Sequence, residues 1–363
     1  MVFLPPHSFI KFKYYHILSL SMTTEQRKKD HIRICLEEDV ESQKTGFEEI
    51  FLIHKSLPEL NLKEIDTSTE FLGKKLNLPL TIASITGGTE QAKQINKDLA
   101  EIAEKKRIGF SLGSQRAMIE DPELKETYYV RDVAPNVLLF GNIGITQVKK
   151  FDTNKIKKAL ESVKADALCV HINPAQEPFQ KNGDLDFRGS TSSLKKLCEE
   201  LGYPVIGKEV GFGISREVAK KLKEIGVKAI DIGGFGGTNW VIVDGLISRT
   251  DYRGFVDWGI PTPISILESK IGLPIIATGG IRSGVDIAKS IALGAAICGI
   301  ALPFLKILKE KGKQGVENYI DNLQKELRIT MFLTGCKNIN ELKNTKYVLT
   351  GKIKDWAEQR KLV

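Results

Sequence analysis

The stretch ALCVHINPAQEPF, residues 167–179, decides how this chain is read. Its opening, Ala167 to Val170, is apolar at every position. That suits a strand buried on both faces of a parallel sheet rather than one with a wet side. The continuation brings His171, Asn173, Gln176 and Glu177, set between Pro174 and Pro178. Four polar groups at the tip of a core strand are costly unless hydrogen bonds, a metal or a substrate satisfy them.

Working outward, the pattern repeats. Eight short apolar runs alternate with segments of helical period: 79–84, 108–113, 137–144, 167–173, 204–210, 229–235, 274–280 and 295–301. In one intervening segment, SREVAKKLKEIG, Val218, Leu222 and Ile225 are expected to share the buried face. Strands of this kind with helices between them predict a (β/α)8 TIM barrel with an N-terminal helical extension and C-terminal helices. The competing fold is a doubly wound open sheet, but no opening strand carries a GxGxxG turn into a helix. The expected divisions are an extension at 1–21 that is disordered or foreign to the native chain, with Met22 as the natural start; a helix at about 24–44 and an irregular lead-in to 78; barrel and C-terminal helices over 79–335; and a tail at 336–363.

Polar and glycine-rich residues gather at the strand ends, where a barrel carries its active site. In ATGGIRSGVDIAKS, Gly279 and Gly280 end a strand, and Ser283 with Asp286 forms a capping box. Glycines let backbone N–H groups approach an anion, the helix N-terminus favours negative charge, and Arg282 adds a cation. A phosphate grip is therefore expected; the alternative is an ordinary glycine-rich turn. His171 and Asn173 lie two apart and share a strand face, while Gln176 and Glu177 fall on the loop over the mouth. A lone Glu177 can hold Mg2+ if substrate phosphates complete the octahedron, or it can simply cap the loop. Neither D-x-D nor HExxH is present. Lys208 is either a lumen lysine facing an anion or an ion-pair partner, and Glu209 points the other way, toward a structural role. QRKKDHI, 26–32, is either a solvated face or a segment whose Arg27 and Lys28 clamp an anion at the mouth. His7, His16 and His54 have no partner motif.

Of the 363 residues, 42% are hydrophobic and 27% charged, with net charge +8. The lysine excess is dispersed, which argues against a nucleic-acid footprint. No apolar stretch reaches the roughly 18 residues of a membrane span. Cys35, Cys169, Cys198, Cys298 and Cys336 are scattered without CxxC, as expected of reduced, mostly buried thiols in a cytoplasmic protein.

Together these motifs resemble the type 2 isopentenyl-diphosphate isomerases, FMN-dependent barrels. The matching residues are Arg27, Lys28, His31 and Ile32; Thr86 to Gly88; Gly113 to Gln115; His171 to Glu177; Lys208 to Gly213; Asp231 to Asn239; and Gly279 to Arg282. The resemblance implies interconversion of isopentenyl and dimethylallyl diphosphate by a 1,3-shift of one proton, on FMN reduced by NAD(P)H and with Mg2+. It implies that Ile85, Thr86, Gly87, Ser114, Asn142, Lys208, Thr238, Gly280, Ile281, Arg282, Ala301 and Leu302 hold FMN. Arg27, Lys28, Ser114, Gln115, Arg116 and Gln176 would bind substrate. Gln176, His171, Asn173 and Lys208 would serve catalysis, and Glu177 would bind the metal. It further implies a homotetramer or larger assembly. One departure is visible: the family commonly carries Glu where this chain has Asp244. The rival reading is an FMN-dependent oxidoreductase of a small hydroxy acid or dihydroorotate-like substrate, which needs a different strand-end base; no S-N-H-G is present.

Overall fold

The computed structural model describes residues 24–42 and 44–363. The expectation for residues 1–21 lies outside them. Eight strands, one from each apolar run, form a closed parallel barrel: β1 (Leu80–Ile82), β2 (Gly109–Ser111), β3 (Leu138–Gly144), β4 (Ala167–Ile172), β5 (Val205–Glu209), β6 (Ala229–Asp231), β7 (Ile275–Thr278) and β8 (Ile297–Ile300). Strand β8 closes the ring against β1. Register sets the site: Gly144 lies beside His171, His171 beside Lys208, and Lys208 beside Asp231. Three polar side chains thus stand in one row near the C-terminal rim.

The barrel is filled, not hollow. Leu138, Phe140, Ala167, Cys169, Ile206, Ala229, Ile276 and Ile297 pack together in its interior. The hairpin Thr69–Phe71 and Lys74–Leu76 adds Phe71 and Leu76 to this cluster, and Phe71 meets Phe140 edge to face. Burying each such side chain contributes roughly 1.5–3 kcal/mol. A larger core lies between strands and outer helices.

Three local expectations change. The helix at about 24–44 is Thr24–Glu37. Beyond it the chain runs extended, because Ser42 N–H donates to Gly237 O and Asn239 N–H donates to Val40 O. On the helix Arg216–Ile225 the buried residues are Ala219, Leu222 and Ile225, while Val218 is exposed. Leu222 and Ile225 keep to the expected face, and Ala219 takes the place given to Val218. The segment 336–363 is folded: strand Tyr347–Leu349 pairs antiparallel with Ile50–Leu52. The helix Gly351–Gln359 follows it, and Arg360 just beyond binds the buried Glu268 and the exposed Glu217.

Candidate active site

The loops after the barrel strands and the N-terminal helix enclose a cavity of about 250 Å3. Its lining includes Arg27, Lys28, Ile85, Thr86, Gly87, Ser114, Arg116, Asn142, His171, Asn173, Gln176, Glu177, Lys208, Thr238, Gly280, Arg282, Ala301 and Leu302. Two expected residues turn elsewhere. The Gln115 side chain is buried in the barrel wall, where its Oε1 accepts from Asn142 N–H at 3.1 Å and its amide donates to Ala159 O at 3.4 Å. Ile281 is buried in the hydrophobic core.

One side of the mouth is backbone. Gly279 (φ +113) and Gly280 (φ +76) need left-handed geometry, and a Cβ on Gly280 would fall 2.3 Å from Gly236 O. Only glycine lets these two loops touch. The N–H groups of Gly237 and Gly280 donate no hydrogen bond among the described residues. The sequence reading combined glycine N–H groups with the dipole of the following helix, and of these the N–H groups at the helix end are occupied. Arg282 and Ser283 N–H groups donate to Asp286, and Gly284 N–H donates to Glu326, beside a complete Ser283–Asp286 capping box. The free donors therefore sit one step upstream, in the glycine cradle. Free N–H groups with no side chain in the way fit the phosphate of a cofactor such as FMN. Arg282 pairs with Glu41, which Lys306 also approaches at 3.5 Å.

The strand tips form the polar floor. Lys208 is both things the sequence allowed: it lines the cavity and bonds Asp231 at 2.6 Å. Asp231 also accepts from Thr278. Glu209, on the other face, is buried, and one of its oxygens takes the N–H groups of Val210, Gly211, Phe212 and Gly213. Burial pushes its carboxyl up to about 7 despite those bonds. His171 bonds Asn142 Oδ1 through Nδ1 at 2.8 Å. Burial, with Lys208 and Arg27 nearby, lowers its pKa to about 4, so it is neutral at neutral pH.

Gln176 and Glu177 both lie over the mouth. Gln176 is fixed at both ends: its amide N–H donates to Asp244 Oδ2 at 2.7 Å, and its Oε1 accepts from Asn173 at 3.1 Å. The other oxygen of Asp244 meets His31 Nε2 at 2.8 Å. Glu177 accepts from Asn173 at 2.8 Å, Gln180 at 3.2 Å and Asp184 N–H at 2.6 Å. Burial raises its pKa. Asn173 Oδ1 is buried without a hydrogen-bond partner. No cluster of three or more His, Cys, Asp or Glu that could hold a metal occurs among the described residues. One carboxylate and an unsatisfied amide oxygen fit Mg2+ only if a ligand supplies further oxygens.

The opposite side is cationic. Arg27, Lys28 and Arg116 converge there, and Arg116 is steadied by Glu120 at 2.8 Å. Burial first, then Arg27 and Arg116, lowers Lys28 to about 7. Burial and Arg116 lower Arg27 as well. Residues that sequence reasoning passed over include Tyr128, which binds Lys28, as well as Gln147 and Ser84 in the lining. Nothing in their local sequence marks them.

The chain resembles known proteins on both counts. The FMN-dependent dehydrogenase family matches residues 150–349. An Archaeoglobus fulgidus isopentenyl-diphosphate delta-isomerase is 47% identical over 345 residues, covering 93% of this chain and 100% of that protein. The Methanosarcina barkeri protein of the same name is 46% identical over 349 residues, covering 93% and 95%. Among solved structures, a mandelate oxidase with a monooxide FMN adduct superimposes with TM-score 0.61 at 16% identity, over 92% of this chain and 94% of that one. A flavocytochrome b2 gives 0.66 at 21%, over 89% and 83%. These two show a common fold.

Proposed function

The chain belongs to the FMN-dependent, type 2 isopentenyl-diphosphate delta-isomerases, and from that premise we propose how its residues divide the work. The reaction interconverts isopentenyl and dimethylallyl diphosphate, in isoprenoid biosynthesis. The observation that carries the assignment of roles is the meeting, at one rim, of a glycine cradle with free N–H groups and a cationic edge beside Gln176 and Glu177. Two anions can be held there at once.

In this reading the cradle takes the FMN phosphate. Ile85 to Gly87, Ser114, Asn142, Lys208, Thr238, Gly280 to Arg282 and Ala301-Leu302 surround the rest, with Ile281 contributing backbone only. Reduced FMN, when bound, supplies an electron-rich ring that stabilises positive charge on carbon and can exchange a proton. Lys208, neutralised on one side by Asp231, places a fixed positive end in the lumen, which favours a negative ring edge.

Arg27, Lys28, Ser114 and Arg116 grip the substrate diphosphate, and its binding energy positions the alkene. Gln115 acts indirectly by fixing the wall behind Ser114 and Asn142. Neutral His171, Asn173 and Gln176 border the isoprenoid end. Because both ends of the Gln176 amide are bonded, it orients substrate without turning. Glu177 holds Mg2+, which neutralises diphosphate charge. NAD(P)H would supply the electrons that keep a bound FMN reduced, and the isomerisation itself would be redox-neutral. The assembly is a homotetramer or larger, in the cytoplasm. No helix among the described residues is long and apolar enough to cross a membrane.

The test uses purified protein loaded with FMN, Mg2+ and NADPH under anaerobic conditions, with isopentenyl diphosphate in deuterated water. Dimethylallyl diphosphate carrying solvent deuterium is the expected product, and it should vanish without FMN. Net oxidation of substrate, or isomerisation by flavin-free protein, would overturn the reading in favour of a hydroxy-acid oxidoreductase or a flavin-independent route.

A further inference from the structure

We infer that Tyr128 is a positioning residue for the diphosphate end of the site, acting through Lys28. The inference rests on the proposed role of Lys28 as a substrate ligand.

Three atoms form a closed knot. Tyr128 O–H donates to Ser114 O at 2.7 Å. Lys28 Nζ donates to Tyr128 Oη at 2.7 Å and to the same Ser114 O at 3.1 Å. Its ammonium lies 5.1 Å from the Tyr128 ring centroid. An ammonium has three N–H groups. The knot uses two, so the third has its direction set, and Lys28 lines the cavity. A lysine otherwise rotates freely on four carbons; this one is aimed.

Tyr128 itself is held firmly. It is fully buried, and its ring lies so close to the loop after β1 that a Cβ on Gly87 would fall 2.1 Å from it. The Thr-Gly-Gly motif therefore has a second use, as the seat for this ring. The knot also anchors the N-terminal helix. On one side of the mouth Ile34, Cys35 and Val40 pack against Val243, Leu302 and Leu305. On the other, the Tyr128–Ser114 pair holds Lys28. The helix that brings Arg27 and Lys28 to the site is thus fastened at both edges of the cavity.

The test is a double-mutant cycle read as KM and kcat for isopentenyl diphosphate in the FMN- and Mg2+-loaded enzyme. Tyr128→Phe removes one oxygen, keeps the packed ring, and leaves Ser114 O its Lys28 donor, so the variant folds. Loss of one hydrogen bond to a charged group corresponds to a rise in KM of about tenfold, with kcat within about twofold. Lys28→Met raises KM by about a hundredfold. In the Lys28→Met background Tyr128→Phe adds nothing, because the residues act as one unit. If Lys28→Met raises KM and Tyr128→Phe leaves it unchanged, or if the two effects add, the inference is overturned while the substrate grip stands. If Lys28→Met itself leaves KM unchanged, the grip fails first. A fall in kcat alone in Tyr128→Phe also overturns the inference.

Discussion

Two regions of one rim offer themselves to anions, and they are built oppositely. The cradle around Gly237 and Gly280 is backbone, with its nearest cation, Arg282, already paired to Glu41. The edge around Arg27, Lys28 and Arg116 is side chain, and burial first, then the neighbouring cations, lowers the pKa of Arg27 and Lys28. A preorganised backbone site loses little entropy on binding and suits a group that stays. Mutually repelling cations are relieved when an anion arrives and strained again when it leaves, which suits a group that exchanges at every turnover. The difference matches a retained cofactor on one side and a released substrate on the other.

The largest break in that comparison should come from the backbone side. Gly280→Val places a branched side chain at φ +76, where even a Cβ lies 2.3 Å from Gly236 O. The two loops must part. The expected protein is colourless after purification and shows a loss of FMN affinity on the order of a thousandfold. Its circular dichroism keeps the barrel signature, since the strands lie below the loops. Flavin absorbance after desalting measures it; a yellow variant would mean that the cradle is not the cofactor site.

Next comes the metal position between the two regions. Glu177→Gln keeps the size of the side chain and removes the charge. The Mg2+ concentration for half-maximal activity should rise on the order of a hundredfold, as expected when a hard cation loses its one charged protein ligand. Flavin binding should be unchanged. Equal loss of both would show that Glu177 braces the loop through Asp184 and Gln180 rather than binding metal.

The edge can be sharpened by pH. Lys28 at about 7 in the ligand-free protein is largely neutral at about pH 8.5. A bound diphosphate favours the ammonium and raises its pKa, so binding at that pH takes up a proton. The sign is uptake, and substrate affinity falls as pH rises through the ligand-free value. Calorimetry in buffers of differing ionisation enthalpy should show uptake of up to about one proton, lost in Lys28→Met. No uptake, or release, would mean Lys28 is already charged in the empty site.

Much of this was legible in the residues, and the limits are physical. All eight barrel strands could be read because strands buried on both faces leave uninterrupted apolar runs. The polar tips followed from where those runs end. Gln115 was expected in the site because Ser114, Gln115 and Arg116 are all polar; it lies in the turn beyond β2, as the N-cap of the helix that starts at Arg116, and a polar tripeptide does not show which of its side chains turns to the wall. Val218 was misassigned because positions 218 and 219 stand four and three residues before Leu222, and a 3.6-residue period lets either share its face. His31 and Asp244 are 213 positions apart, and the Tyr128 knot spans 100 positions. Pairings of that range are made by closure of the barrel and leave no local pattern. Asp244 joins Gln176 and His31, with one oxygen on Gln176 and the other on His31.

The smallest expected effect tests why the backbone side carries so little net charge. Glu41 follows the N-terminal helix and lies across Thr238 in an isolated bridge, so its strand is fastened by backbone bonds that do not need its carboxylate. That carboxylate pairs with Arg282 and Lys306. A phosphate in the cradle gains from Arg282 but is repelled by Glu41. In a half-exposed site those terms are screened and partly cancel. Glu41→Gln keeps the reach and removes the repulsion, so FMN should bind a few-fold more tightly, with an advantage that shrinks as salt is raised. Titration of the flavin-free protein, followed by quenching of flavin fluorescence at low and high salt, measures both. Weaker binding would instead mean that Glu41 aims Arg282 at the phosphate, and that the backbone side, like the cationic edge, depends on a positioned side chain.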